Sequence, residues 1–293
     1  MRRIALFLCP LMLTACSPES TERPDAGRLP DVGRDAEAPL DANLVDVATI
    51  GPTPIPNYLL TVENSGMNNE VHRLLRIGVA PADYGMTREI CPNIALPSTV
   101  DPSNIISSLT FNQGRLLATG KGTVNGDTMF EIDPCTCTAT VIGAYGFDPV
   151  PGITSIDTAM FGVTTTMDLV IGINPTTAAS TRLGALPNDW GTAGLSWSGP
   201  VRNSLLGISG SDDTLVEFNA TTGAVVGTPL TLDHDFGSVG MEFHPGLSRL
   251  FACSTEGNLL EVDATSGHVT VGPSIGPTCN NLAAPFGTVD CIL

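Results

Sequence analysis

Positive charge is scarce in this chain of 293 residues, which contains 13 Lys and Arg against 30 Asp and Glu. Lys121 is the only lysine, and residues 57–293 hold 22 acidic side chains against 8 basic ones. Nucleic-acid binding needs clustered Lys and Arg that displace counterions from phosphates, so this composition argues strongly against it. It also argues against docking of these residues onto anionic lipid. An acidic surface favours cations or basic partners, and it also serves solubility.

Several catalytic signatures are missing as well. A Gly-x-Ser-x-Gly pattern occurs once, at residues 272–276, but without the strand-to-helix context of a nucleophile elbow. No Cys-x-x-Cys pair is present. The histidines form no His-x-x-x-His pair, since they are widely spaced at His72, His234, His244 and His268. The sequence therefore leaves enzyme activity uncertain and favours a protein without it.

No window of 11 residues beyond residue 57 has a helical apolar period, whereas a turn pattern recurs there at a nearly constant interval. An Asp or Asn begins each copy, with spacings of 41, 45 and 44 residues, at Asp133, Asn174, Asn219 and Asp263. An apolar residue opens each unit, with spacings of 44, 42 and 46 residues, at Leu109, Ile153, Leu195 and Met241. Two anchors with one period of about 40–45 residues are typical of four-stranded propeller blades.

The two ends of this region complement each other. Residues 57–97 contain three strand-like segments, which match the last three strands of a blade. The C-terminal segment from Asn281 resembles a first strand, so its pairing with the N-terminal blade would close the ring and remove exposed edges. The predicted fold is all-β: a β-propeller of about five four-stranded blades, with six as the alternative.

The repeated Asp or Asn has a structural explanation. Its side chain can accept a hydrogen bond from the backbone two residues on, and Gly at the fifth position tolerates positive φ. The turns resemble the Asp-x-x-Thr-Gly repeats of quinoprotein-like and YVTN-type propellers. The Trp that follows Thr-Gly in quinoprotein blades is missing, because the only tryptophans are Trp190 and Trp197. The resemblance therefore implies a propeller and does not imply a bound quinone.

The N-terminus has the features of an export signal. Met1-Arg2-Arg3 is followed by a short apolar run, too short to span a bilayer, and by Leu13-Thr14-Ala15-Cys16. This last segment resembles the lipobox of bacterial lipoproteins. The resemblance implies cleavage of residues 1–15, a diacylglycerol on the Cys16 thiol and acylation of the new amino terminus. Ser17 follows the cysteine, which favours outer-membrane anchoring; whether the protein faces the periplasm or the exterior is open.

Residues 16–56 are predicted to form a disordered tether between this anchor and the propeller at 57–293. Residues 17–56 contain eight Asp or Glu, three Arg and several Pro, with no aromatic residue and no apolar period. Such a segment cannot bury enough apolar surface to offset the entropy of ordering.

Six cysteines remain after the signal peptide and the lipidated Cys16. An even number in an exported domain predicts disulfides, here among Cys91, Cys135, Cys137, Cys253, Cys279 and Cys291. Cys279 and Cys291 are close in sequence, which favours them as a pair. Cys135 and Cys137 replace a Thr and the Gly of the turn pattern, so both are predicted at a hairpin tip.

Candidate binding residues fall in the segments between repeats. Propellers of known families place the loops from one blade's last strand to the next blade's first strand on one face, around the central funnel. These segments contain Asp101, Asp148, Asp189, Asp233, His234 and Asp235, with Asn280 and Asn281 in the closing one. Such oxygen donors could bind Ca²⁺, with Asp148 and Asp235 as candidates, attract an amine, or be solvated turn residues. Trp190, next to Asp189, could be a sugar platform or a packing residue.

The predicted function is a lipid-anchored binding module of the cell envelope, without catalytic residues, whose partner is an envelope protein or a glycan. One alternative is a structural subunit of an outer-membrane assembly complex. It resembles, in layout only, the propeller lipoprotein of the barrel-assembly machinery, which has more blades. The other alternative is an envelope hydrolase or lyase, which needs a carboxylate or His with a strongly shifted pKa inside the funnel.

Overall fold

The computed structural model of the protein describes residues 54–101, 103–121, 127–147, 149–276 and 278–292. All regular elements in these ranges are β-strands, and no helix there is long and apolar enough to cross a membrane. The strands form five antiparallel sheets in chain order, numbered here as blades I to V. Residues 1–53 lie outside the described residues, so the signal peptide, lipidation of Cys16 and nearly all of the tether stay predictions.

Blades I and II contain the first seven strands. Blade I consists of β1 (Tyr58–Ser65), β2 (Val71–Gly78) and β3 (Thr87–Cys91). Blade II consists of β4 (Ile105–Asn112), β5 (Arg115–Lys121), β6 (Thr128–Asp133) and β7 (Thr138–Ala144).

Blades III to V have four strands each. Blade III consists of β8 (Gly152–Ile156), β9 (Ala159–Thr164), β10 (Leu169–Ile173) and β11 (Ser180–Ala185). Blade IV consists of β12 (Ala193–Trp197), β13 (Leu205–Ser209), β14 (Thr214–Phe218) and β15 (Val225–Thr231). Blade V consists of β16 (Val239–His244), β17 (Arg249–Ser254), β18 (Asn258–Val262) and β19 (Val269–Ser274).

The C-terminal segment closes the ring, as predicted. Leu60 and Ala283 exchange two backbone hydrogen bonds of 2.8 and 2.9 Å, so the closing segment occupies the first-strand position of blade I. The side chain of Asn281 extends this pairing, since it accepts the Val62 N–H at 2.7 Å and donates to the Val62 carbonyl at 3.0 Å. The chain is therefore a propeller of five four-stranded blades, and the alternative of six is wrong.

The apolar core consists of five clusters, one between each pair of neighbouring blades. Successive residues of a strand point to opposite faces of its sheet, so each blade contributes to the clusters on both sides. The predicted opening residues Leu109, Ile153, Leu195 and Met241 all lie buried on first strands. Their period therefore follows from the packing of one blade on the next.

The repeated turns have the predicted hydrogen bonds. Asn219 Oδ1 accepts the Thr221 N–H at 2.9 Å, and Asp263 Oδ1 accepts the Thr265 N–H at 2.8 Å. The fifth residue of the turn has positive φ, 65° at Gly223, where a Cβ would be unfavourable. The Asp and Asn of the repeat thus have the structural role that the sequence indicates.

The outer strands share an irregularity. In all five blades, the ladder between the third and fourth strands shifts register once, for example between Val170 and Ile171 in blade III. A β-bulge bends an edge strand and interrupts its row of free backbone groups. The bulges therefore make the outer edges poor templates for pairing with another strand.

Three disulfides join the described cysteines, each with one cysteine in blade I or in the C-terminal segment that completes it: Cys91–Cys137, Cys135–Cys291 and Cys253–Cys279. The prediction of six disulfide-bonded cysteines is confirmed, but the favoured pair Cys279–Cys291 is wrong. Cys279 lies before the closing strand, beside β17, whereas Cys291 lies beyond it, at the turn between β6 and β7. The closing strand separates the two cysteines, so their closeness in sequence does not bring them together.

Candidate functional site

The segment that follows the fourth strand of each blade lies beside the turn between that blade's second and third strands. These segments and turns therefore share one face of the propeller. In blade III the Leu186 N–H donates to the Asp168 carbonyl at 2.8 Å, and in blade IV Leu232 donates to Asp213 at 2.8 Å. Tyr145 and Ile275 make the same bond in blades II and V, to Asp127 and Gly257. This face, called the exit face here, contains those predicted binding residues that the structure describes.

Two of these predicted residues are engaged in local hydrogen bonds. Asp101 accepts the Ser103 N–H at 2.9 Å and the Ser103 hydroxyl at 2.7 Å, and these bonds lower the pKa of the Asp101 carboxyl. Asp233 accepts His268 Nδ1 at 2.6 Å and the Val269 N–H at 2.7 Å. The bond from His268, followed by that from Val269, lowers the pKa of Asp233. Both carboxylates therefore serve the local structure.

The other predicted residues do not converge on one another. Asp189 and Asp235 are exposed, and the His234 ring stands edge-on to Phe236 at a centroid distance of 4.9 Å. Asp148 lies outside the described residues. Within the described ranges, no three His, Cys, Asp or Glu side chains are grouped to hold a metal ion. The Ca²⁺ site at Asp148 and Asp235 stays a prediction.

The two tryptophans have different environments. Trp190, next to Asp189, is 0% exposed and packs edge-on against Phe218 with ring centroids 5.9 Å apart. It is therefore a packing residue and offers no platform to a sugar. Trp197 is only partly buried and ends β12 at the opposite face of the ring.

A cleft lies at that opposite face, where the first strands of three blades end. Equivalent positions of β4, β8 and β12, two residues beyond the opening residue, place Phe111, Ser155 and Trp197 in its wall. The turns after β4 and β8 add Gln113, Gly114 and Asp157, and the C-terminal segment adds Phe286. This set is called the axial cleft here, and its cavity measures about 220 Å³.

Trp197 is held on three sides. Its indole N–H donates to Asn203 Oδ1 at 3.2 Å, and its backbone N–H donates to Thr154 Oγ1 at 3.0 Å. Its ring stands edge-on to Phe243, with centroids 5.6 Å apart, and tilted by 37° to Phe286, with centroids 6.0 Å apart. These contacts pre-set the orientation of the indole.

Phe286 reaches the cleft because the chain closes the ring. It follows Ala283, the residue paired with Leu60, and precedes Cys291, which is bonded to Cys135 of blade II. A closed strand on one side and a disulfide on the other thus fix the segment that carries it. Phe286 nevertheless remains 43% exposed, which is unusual for a large aromatic ring.

A buried hydroxyl lies in the wall of the cleft. Ser155 is 2% exposed, and its Oγ has no hydrogen-bond partner among the described residues. A buried polar group without a partner is costly, so such groups usually have a water or a ligand as their partner. Asp157 follows two residues later, in a turn, with a φ of 53°. Its backbone carbonyl accepts a hydrogen bond from the side-chain amide of Asn112.

Deeper in the ring, hydroxyls connect the first strands of successive blades. Ser108 Oγ accepts the Ile153 N–H at 3.0 Å, and Ser196 Oγ accepts the Phe243 N–H at 2.7 Å. Thr154 makes the same bond to Trp197. These side chains join blades II to V in succession near the axis, which stabilises this part of the ring against radial opening.

Blade V places a carboxyl where blades III and IV have Thr154 and Ser196. Glu242 is 2% exposed, and its Oε1 accepts the Phe243 N–H at 3.2 Å and the Ser196 hydroxyl at 3.4 Å. Its Oε2 has no partner in the part of the chain that the structure describes. Burial raises the pKa of Glu242 well above its usual value, against the opposing effect of these two bonds. The side chain is therefore favoured in its neutral form, and it is not among the residues that line the axial cleft.

Sequence reasoning missed the axial cleft. The predicted site lies on the exit face because the loops between blades gather there around the funnel, whereas Trp197 and Phe286 meet at the other end of the axis. One signal was present: Trp197 lies two residues after the repeat anchor Leu195, at the end of a predicted first strand. No local pattern marked Phe286 or Asp157 as its neighbours.

No family model matches the sequence, and no curated protein matches it significantly. Among solved structures, a protein of unknown function from Bacteroides thetaiotaomicron is similar with a TM-score of 0.51 and 13% identity. The match covers 80% of this chain and 65% of that one, which is less than two thirds of its length. The likeness shows the fold, a β-propeller.

Two further solved structures are more distant. A structure of a nidogen/laminin complex matches with a TM-score of 0.49 and 12% identity, over 79% of this chain and 99% of that one. Glutaminyl cyclase from Myxococcus xanthus matches with a TM-score of 0.43 and 15% identity, over 62% and 71%.

Proposed function

We propose that this propeller is a non-catalytic binding module that captures a small ligand, or an exposed group of a larger one, in the axial cleft. The observation that carries the proposal is the cleft itself, in which Trp197, Phe111 and Phe286 surround a wall containing the partnerless Ser155 hydroxyl. Ligand sites are concave and mostly apolar, with a few polar groups that fix orientation. The axial cleft has this composition.

The lining of the cleft favours binding over catalysis. Asp157 is the one titratable side chain among its seven lining residues, so the cleft offers no acid–base pair. Glu242 has the raised pKa that an envelope hydrolase or lyase would need, but it is not among the seven residues that line the cleft. The enzyme alternative therefore has less support.

The alternative of a structural subunit also has less support. A subunit that assembles by strand pairing needs a regular exposed edge. The outer strands of all five blades carry register shifts, which interrupt that edge.

In this proposal the lipid at Cys16 holds the protein at the outer membrane, and the tether that precedes residue 54 lets the cleft sample the surrounding envelope. The scarcity of Lys and Arg supports attachment through lipid, because the propeller has little positive charge with which to bind anionic headgroups. Envelope proteins and glycans are the partners within reach of such a tether.

The test is a binding screen with the full-length protein in a nonionic detergent. Amines, envelope sugars and short peptides are titrated while tryptophan emission is followed. We expect a saturable change for at least one class, lost in Trp197→Phe because the buried Trp190 is remote from the cleft lining. The affinities of the variants are measured by calorimetry, which needs no tryptophan. If every ligand that binds does so with equal affinity in Phe286→Ala and Trp197→Leu, the cleft is not the binding site.

A further inference from the structure

The chemistry of the axial cleft points to the kind of group that it binds, an inference that rests on the proposed function. Three aromatic side chains and one carboxylate residue line the cavity, with Gln113, Gly114 and Ser155 between them. No Lys, Arg or His is among these lining residues. Aromatic faces and carboxylates both attract cations, and no lining residue would repel one.

The basic residue nearest in sequence to the lining is engaged elsewhere. Arg115 follows Gly114, but its guanidinium donates to Glu131 Oε2 at 2.7 Å and to the Pro175 carbonyl at 3.3 Å. Other arginines are also paired with acids: Arg73 with Glu63, Arg76 with Asp83, Arg202 with Glu217 and Arg249 with Glu261. The excess of 22 acidic over 8 basic residues beyond residue 57 adds a long-range attraction for cations.

We infer that the axial cleft binds an ammonium group, with the rings of Trp197 and Phe286 as its aromatic walls, Asp157 as its counter-ion and the Ser155 hydroxyl as a hydrogen-bond partner for the ligand's N–H or O–H. The cavity of about 220 Å³ is smaller than the pockets that enclose drug-sized molecules, about 300–1,000 Å³. It therefore suits a headgroup such as choline or ethanolamine rather than a large ligand.

A neutral sugar is the competing ligand, because it could stack on Trp197 and bond to Ser155 and Gln113. It would leave Asp157 without a charged partner and would gain nothing from the acidic surface. The charge of the lining therefore favours the ammonium group over the sugar.

The decisive experiment compares choline with its uncharged carbon analogue 3,3-dimethylbutan-1-ol, using calorimetry on the full-length protein in nonionic detergent. N-acetylglucosamine is the third ligand, and phosphatidylcholine vesicles separate a lipid headgroup from a free solute. We expect choline to bind at least about tenfold more tightly than the analogue, because only the charged ligand gains the cation–π and ion-pair contributions. The difference should shrink as salt is raised, since exposed charges are screened.

The variants test the residues separately. Asp157→Asn, in which Asn tolerates the positive φ of this turn, should weaken choline binding about three- to tenfold and leave the analogue unchanged. Asp189→Asn, an exposed carboxylate on the exit face, is the matched control and should change neither affinity. Trp197→Leu should weaken choline binding about tenfold or more. Thermal melts verify that each variant is folded.

The outcomes separate the two proposals. If the analogue or N-acetylglucosamine binds as tightly as choline and Trp197→Leu weakens it, the ammonium inference is overturned while the binding module stands. If Asp157→Asn and Asp189→Asn weaken choline binding equally, the attraction is diffuse and the assigned counter-ion is wrong. If none of the three ligands or the vesicles binds, the ammonium inference fails. The broader screen under the proposed function then decides whether the cleft binds anything.

Discussion

The buried carboxyl of Glu242 should make the propeller less stable as the pH rises, and Glu242→Gln should remove that effect. Glu242 is 2% exposed, and burial raises its pKa well above the usual value. The folded state therefore holds the proton more tightly than the unfolded chain, in which Glu titrates near pH 4.3. The associated stability is fully present below that unfolded pKa and is lost as the pH rises toward the folded pKa.

His244, two residues after Glu242, has the opposite effect on the pH dependence of stability, and it acts over a lower pH range. Its Nε2 donates to the Pro56 carbonyl at 3.0 Å, and its Nδ1 accepts the Leu247 N–H at 3.2 Å, which describes a neutral ring. Burial lowers the pKa of His244, so the unfolded chain binds its proton more tightly and stability falls below about pH 6.5. The two effects oppose each other between about pH 4.3 and 6.5, and only that of Glu242 acts above.

The slope of stability against pH follows from the number of bound protons, because the folded state holds one more proton than the unfolded chain. The free energy of unfolding should fall by about 1.4 kcal/mol per pH unit above pH 6.5, up to the folded pKa of Glu242. For a domain of this size, 1 kcal/mol corresponds to about 2–4 °C in melting temperature. The wild-type Tm should therefore fall by about 3–6 °C per pH unit, whereas Glu242→Gln should be flat over the same range.

The assay is a set of thermal melts followed by circular dichroism from pH 6.5 to 9, below the titration of the tyrosines. Glu256→Gln, at an exposed turn of the same blade, is the control and should keep the wild-type slope. Gln keeps a buried polar group, so the variant can be less stable than the wild type at pH 5 and still more stable at pH 8. Equal slopes in the wild type and Glu242→Gln would refute the reasoning.

Three further predictions concern the closure, the turns and the exit face. Replacing Cys135 and Cys291 by Ser should lower the free energy of unfolding by about 2–4 kcal/mol, because their disulfide closes a separation of 156 residues. It should also expose the C-terminal segment to carboxypeptidase. Unchanged melting and proteolysis would contradict a role of this disulfide in ring closure. Asn219→Ala removes the acceptor for the Thr221 and Thr222 N–H groups and should cost about 0.5–1.5 kcal/mol in a denaturant titration, whereas the exposed Thr221→Ala should cost little. If Asp148 and Asp235 bind Ca²⁺, adding Ca²⁺ after EDTA should raise the Tm, and Asp148→Asn combined with Asp235→Asn should abolish the rise. An unchanged wild-type melt would mean that these carboxylates are solvated turn residues that bind no Ca²⁺.

Much of the fold could be predicted because its signals are local. The hydrogen bonds of the repeated turns join residues two positions apart, such as Asp263 and Thr265, so the pattern is visible in the sequence. The apolar anchors recur because each blade packs on the next in the same way, as for Leu109 and Ile153. The strands follow these signals closely: Thr214–Phe218 and Asn258–Val262 each end directly before the Asn or Asp that begins a turn.

The candidate site could not be predicted in the same way. The segment with Asp233 was correctly recognised as a loop between blades, but the partner of its carboxylate is a histidine 35 residues away. The tether was predicted to extend through residue 56, whereas the Pro56 carbonyl accepts a bond from His244, which is 188 residues away. Such contacts leave no period or spacing in the sequence.

The sequence by itself determined the propeller, its closure by the C-terminal strand and the use of six cysteines in disulfides. These features depend on hydrogen bonds within turns, on repeated packing positions and on an even count of cysteines. Only the tertiary structure decided which cysteines pair, that Glu242 lies buried against the Ser196 hydroxyl, and that Trp197 meets Phe286 beside Asp157. The physical reason is that these groups lie in different blades or in the closing segment, so they become neighbours only when the ring closes.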